Sequence, residues 1–270
     1  MRAAPIGVFD SGVGGLTVLR ALLAELPHES FIYLGDTARL PYGTKSRTTV
    51  ARYAAQAAEA LGEYGLKCLV VACNTASASS LPLIRERLQS VPVIGVVEPG
   101  AQAACEASRS GRIAVIATEG TVRGGAYQEA ILRRRGDARI FAIAAQLFVA
   151  LAEEGLCTGP IALAVARHYL DALFAAPDKA PDTLVLGCTH FPMLLEVIRE
   201  ALGEHMRIVD SAATTARQVR QCVAAAGLLC APSAAAVRFL ATDGAERFAR
   251  VGSRFLNREI CASDVELVDL

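Results

Sequence analysis

The chain has no excess of charge of either sign: 27 Lys and Arg stand against 27 Asp and Glu in 270 residues. Such a balance leaves nothing to neutralise a phosphate backbone or an anionic bilayer, so neither nucleic acid nor membrane is expected as a partner. No apolar run approaches the length of a membrane span, and the first residues, MRAAPIGVFDSG, interrupt any leader with Pro, Gly and Asp. A cytoplasmic protein is expected. The eight cysteines, at 68, 73, 105, 157, 188, 222, 230 and 261, never form a CxxC pair, which argues against a disulfide framework or a zinc ribbon. Most of them, Cys68 and Cys105 included, read as small buried hydrophobes. Lysine is scarce, with only Lys45, Lys67 and Lys179. A pyridoxal phosphate enzyme needs a Schiff-base lysine. Lys67 immediately precedes an apolar strand and Lys179 lies in the loop APDKAPD, so only Lys45 is near a motif. No cofactor is expected.

The length suggests one large or two smaller domains. Short β-rich runs at 6–9, 31–34, 69–72, 93–97, 113–117, 140–143, 183–186 and 208–209 alternate with amphipathic stretches such as 16–26, 48–61, 126–135 and 161–174. That alternation predicts an α/β protein with mostly parallel sheets covered by helices. The order of segments also suggests a duplication. PIGVFDSGVGG at 5–15 and RIAVIATEGTV at 112–122 are both an apolar strand ending in a polar turn. A strand ending in cysteine follows each, 63 residues on from Asp10 to Cys73 and 70 on from Thr118 to Cys188. Two pseudo-symmetric lobes would bring both cysteines to one cleft, because open α/β sheets bind ligands outside the carboxyl ends of their strands. The expected division is residues 1–97 plus 208–270 in one lobe and 98–207 in the other.

The turn DSGVGGLT does not read as a nucleotide site. The third glycine of GxGxxG would fall at Thr17, and no GK[ST] closes the loop. What remains is a tight turn whose free N–H groups can hold a carboxylate, with Asp10 at the strand end or Asp10 and Ser11 merely capping a helix.

LVVACNTAS at 69–77 and LVLGCTHFP at 184–192 carry the chemistry. A hydrolase nucleophile would use one thiolate with His190 as base and leave the second cysteine idle. Zinc could draw on Cys73, Cys188 and His190, but no fourth ligand declares itself, and no metal is expected. A redox disulfide would close the space a substrate needs. An amino-acid binding module would need neither thiol. Proton transfer at both faces of one carbon uses both, one as thiolate and one as thiol. A free thiol's pKa of about 8.5 falls towards neutrality beside a helix N-terminus or a positive neighbour, so either form is accessible. Asn74, Thr75 and Thr189 then supply neutral donors for an α-carboxylate and its developing enolate.

Together and in order, DSGVGGLTV, YLGDTARLPYG, VVACNTASA, VIATEGTV, LGCTHFP and VDSA resemble the glutamate racemases of the cofactor-independent aspartate/glutamate racemase family. The resemblance runs over essentially the whole chain. It implies two α/β lobes with the active site between them, interconverting L- and D-glutamate for peptidoglycan, and it leaves a homodimer open. It carries the acid/base pair onto Cys73 and Cys188, with Cys73 taking the proton from D-glutamate and Cys188 from L-glutamate. Assisting roles fall on Asp10, His190 and Glu153. Substrate contacts fall on Asp10, Ser11, Pro41, Tyr42, Gly43, Asn74, Thr75, Thr118, Thr121, Thr189 and His190. Aspartate-specific members tend to carry Glu after the second Cys-Thr, whereas this chain has His190, as its glutamate-specific relatives do. AQLFVALAEE at 145–154 departs from the family's Cys-Pro start and second Pro, so the loop leading to Glu153 is expected to differ in shape.

Overall fold

The computed structural model describes residues 2–174, 180–203, 205–232 and 235–270. Among the described residues, ten strands form two sheets in which every pairing is parallel. The first contains β1 (Ile6–Asp10), β2 (Phe31–Gly35), β3 (Cys68–Val71), β4 (Val93–Gly95), β9 (Val237–Ala241) and β10 (Val265–Leu267), in the order β10-β9-β2-β1-β3-β4. The second contains β5 (Arg112–Ala117), β6 (Arg139–Ala144), β7 (Thr183–Gly187) and β8 (Arg207–Asp210), in the order β6-β5-β7-β8. β1, β2, β3 and β7 are buried along their whole length, as continuous apolar runs in parallel sheets must be.

All eight strands read from the sequence are present. The run at 93–97 is shorter as a strand than expected: β4 stops at Gly95, and α4 (Val97–Ala107) takes over with Pro99 in its first turn, where proline removes no helical hydrogen bond. β8 pairs with β7, so residues 208–210, expected with the first lobe, lie in the second sheet. The chain then returns through α10 (Ser211–Ala225), which packs on both α1 (Leu16–Glu25) and α4, and adds β9 and β10 to the first sheet's edge.

Without those two strands the sheets share one plan. β2-β1-β3-β4 and β6-β5-β7-β8 have the same order, so β1 corresponds to β5 and β3 to β7. The corresponding strand ends carry Asp10 and Thr118, then Cys73 and Cys188. One apolar core runs from α1 and the first sheet through α10 to the second sheet's inner face. Two smaller cores lie under α2 (Arg47–Gly62) and α3 (Asn74–Arg87) on one side and under α4 and α6 (Ala126–Arg134) on the other.

Candidate active site

A cleft of about 480 Å³, the open solvent at its mouth included, lies where the two sheets present their carboxyl ends. Its walls bring together Cys73, Cys188, Ser11, Pro41, Tyr42, Gly43, Asn74, Thr75, Thr118, Thr189, His190 and Glu153 from the residues singled out in the sequence. Asp10 and Thr121 are buried behind that wall. Gly12 and Leu40, which lie inside the motifs DSGVGGLTV and YLGDTARLPYG but were not singled out, and Gln146 and Val149, in the divergent stretch at 145–154, complete it.

The two thiols are held differently. Cys73 follows β3 and is the N-cap of α3, its Sγ accepting from Ala76 N at 3.4 Å. Burial pushes the Cys73 thiol up to about 12; the Asp10 charge adds to this, against the lowering effects of a Ser11 hydrogen bond and the Ala76 N–H. Cys188 follows β7, but a single 3₁₀ turn at Phe191–Leu194 separates it from α9 (Leu195–Leu202). In place of a helix N-terminus it has His190, whose Nδ1 lies 3.8 Å from Sγ. Nε2 of the same ring is 3.1 Å from Glu153 Oε1, and Arg247 Nη2 donates to Glu153 Oε2 at 2.7 Å. Burial alone would lower His190, but its hydrogen bonds and charge interactions with Cys188 and Glu153 prevail and raise it to about 10. The His190 hydrogen bond, aided by Arg247, holds the Glu153 carboxyl below its usual range against the desolvation of its partly buried site. The chain from Sγ through imidazole and carboxylate to guanidinium is continuous.

Asp10 at the end of β1 lies beneath the glycine turn, its Oδ2 accepting from Gly12 N at 2.9 Å. Desolvation raises its carboxyl above the ordinary range, although His190 and the turn's N–H groups oppose this. Tyr42 reaches the cleft with its hydroxyl already donated to Asp36, so it offers ring surface and not a free O–H. Thr75 Oγ1 lies 2.9 Å from Thr118 Oγ1 and 3.2 Å from Thr121 Oγ1, which are 3.0 Å apart, closing a three-hydroxyl ring across the lobes. Gly14 is required by a close approach: a Cβ there would stand 2.4 Å from the His190 ring.

Asn74 is the clearest unspent donor. Tyr127, from the second lobe, donates to its Oδ1 at 2.8 Å, which fixes the amide's orientation. Nδ2 is buried on the cleft side of α3's first turn with no partner among the described residues. A buried donor without a partner costs about 1–3 kcal/mol, and a ligand carboxylate would recover it. Asn74→Ala should therefore lower kcat/KM for a carboxylate substrate by about 10–100-fold, the worth of one hydrogen bond to a charged group. A value within twofold of the unsubstituted protein in steady-state assays would remove Asn74 from binding.

Among the described residues no group of three or more His, Cys, Asp or Glu side chains is arranged to hold a metal ion. Lys67 is buried at the opposite end of β3 in an ion pair with Glu29, Lys45 stands outside the cleft wall, and Lys179 lies outside the described residues. No helix among the described residues is long and apolar enough to cross a membrane.

The family model described as Asp/Glu/Hydantoin racemase matches residues 6–219. The chain belongs to that family. It is 48% identical over 266 residues to the glutamate racemase of Geobacter metallireducens, a match spanning 98% of this chain and 96% of the relative. Among solved structures, a glutamate racemase from Bacillus anthracis superposes with a TM-score of 0.94 at 36% identity, covering 100% of this chain and 99% of that one. The Francisella tularensis glutamate racemase, solved with D-glutamate, gives a TM-score of 0.92 at 35% identity, covering 100% and 98%.

Proposed function

We propose that the protein interconverts L- and D-glutamate, with Cys73 and Cys188 acting on opposite faces of Cα and no cofactor. The observation that carries this reading is the placement of two buried thiols, each at the end of the third strand of its lobe, in one cleft with a free carboxylate donor. The relatives named above are glutamate racemases, and one was solved with D-glutamate.

In the direction from L-glutamate, Cys188 removes the α-proton. Imidazolium at His190 supplies the positive charge that a thiolate there requires. Asn74 and the N–H groups opening α3 face the α-carboxylate as it becomes an enolate, where fixed donors are worth most. Cys73, a thiol at neutral pH, then delivers a proton to the opposite face. The reverse direction exchanges the two roles. Aspartate is one methylene shorter, so donors set for the side-chain carboxylate would be left unpaired, and glutamate is preferred. A supply of D-glutamate for peptidoglycan in the cytoplasm is the cellular role this reading assigns.

The deciding experiment is incubation of dialysed, chelator-treated protein with each enantiomer in D₂O. Deuterium should enter Cα as the opposite enantiomer forms, starting from either one. Absence of both exchange and inversion would refute the proposal, and equal kcat/KM for aspartate would overturn the substrate assignment.

A further inference from the structure

Glu153 is gripped from the other lobe. α7 (Leu147–Glu154) follows β6 of the second sheet, whereas α11 (Ala245–Leu256) packs on α1 and β10 of the first. Arg247 and Arg254 are two helical turns apart and so share one face of α11. Arg247 holds the Glu153 carboxylate at 2.7 Å, and Arg254 donates to the Glu153 carbonyl. α7 ends at Gly155 in the left-handed region (φ 79°), and the Arg254 guanidinium fills the place a Gly155 side chain would take. The next residue of α11, Phe255, meets the His190 ring edge-on with centroids 5.2 Å apart. One face of a first-lobe helix thus touches both second-lobe groups that stand behind Cys188.

We infer that Arg247 is a positioning residue for Glu153 and His190, so that the Cys188 side of the site is fully assembled only while α11 lies against α7. The inference rests on the reading of Cys188 and His190 as partners in racemisation. Glu153 is met by His190, Arg247 and Arg254 and, at longer range, Asp10; His190 is met by Cys188, Glu153 and the more distant Asp10, with the Thr189 hydroxyl 3.3 Å from its Nδ1. The only cation on the side chain of Glu153 besides His190 is Arg247, among the described residues. Its removal leaves the carboxylate free to swing away from the imidazole. The proton on His190 is then held less firmly and is lost at lower pH.

The test compares full-length R247Q and R247K with the unsubstituted protein. For R247Q we expect kcat for glutamate to fall about fivefold, a modest loss because Arg247 is half exposed and solvent screens its charge. The alkaline limb of kcat/KM should move to lower pH, and R247K should restore both. A second readout needs no turnover: iodoacetamide labelling of each cysteine, followed by peptide mass spectrometry. In R247Q, Cys188 should label more slowly while Cys73 keeps its rate. High salt on the unsubstituted protein should move the alkaline limb in the same direction. An unchanged pH profile with unchanged Cys188 labelling overturns the inference. So does equal slowing at both cysteines, which indicates general loosening, or a Lys variant no better than Gln. Should the unsubstituted protein fail to racemise glutamate, the functional reading falls, and labelling still decides whether Arg247 acts on Cys188.

Discussion

Cys73→Ala and Cys188→Ala should each abolish racemisation, with kcat falling by about 10³-fold or more, because a two-base inversion cannot proceed with one face unserved. The two variants should nonetheless fail differently. With Cys188 intact and Cys73 gone, L-glutamate can still lose its α-proton and regain one on the same face, so it exchanges deuterium without inverting. With Cys73 intact and Cys188 gone, the same holds for D-glutamate. Nuclear magnetic resonance of the α-proton in D₂O reads both outcomes in one spectrum. Full turnover in either variant ends the two-base reading, and exchange of the wrong enantiomer reverses the assignment of faces. Both sulfurs are buried and small, so neither alanine variant should disturb the surrounding core by more than a modest cavity.

His190→Asn should cost about 10²-fold in kcat/KM, the usual worth of a positioned acid/base partner. The amide keeps a hydrogen-bonding group but loses the charge that serves Cys188. Enantiomers have equal free energies in water, so kcat/KM must stay equal in the two directions for every variant. An asymmetric effect of His190 can appear only in kcat and KM taken separately, or in isotope effects. The isotope effect from α-deuterated L-glutamate should rise, because proton removal by Cys188 becomes the slow step, while that from D-glutamate changes less. The pH dependence has a definite sign. His190 is raised to about 10, so its proton is retained through neutrality and lost above that value. The component of activity that depends on the imidazolium is therefore retained through neutrality and declines as pH rises through about 10. The alkaline fall of the bell-shaped profile should lose that component in His190→Asn, although its apparent values belong to the coupled groups and not to one residue. Identical isotope effects in both directions with an unaltered alkaline limb would detach His190 from Cys188.

The parallel α/β plan was legible because strands buried on both faces are written as unbroken apolar runs, and Val8, Val70, Val115 and Val185 mark four of them. β9 and β10 were not, since VRFLA carries an exposed Arg238 as its second residue and VEL is three residues long. The cysteines stood out by their position after such runs. Cross-lobe partners did not: nothing adjacent in sequence connects Tyr127 with Asn74, or Arg247 with Glu153, and only the fold brings them within hydrogen-bonding distance. From Leu147 on, the divergent AQLFVALAEE forms α7, which delivers Glu153 to His190 and ends at Gly155 in a left-handed cap. The boundary expected at residue 208 missed β8 because the return to the first lobe is made by a helix shared between lobes, which changes neither composition nor periodicity.

The common strand order of the two sheets bears on a geometric difficulty. A racemase must treat two mirror-image molecules alike, yet a chain of L-residues has no mirror image to offer. A rotation axis is the only symmetry it can build, and two sheets of one strand order are how this fold approximates one. On the two-base reading proposed above, each repeat supplies one thiol to the cleft, and a planar carbanion held there would meet a sulfur on either face. Glutamate itself lacks that axis, since its carboxylates and ammonium group are all different. The departures from symmetry, a helix end behind one sulfur and an imidazole behind the other, are where the protein answers the handedness of what it binds.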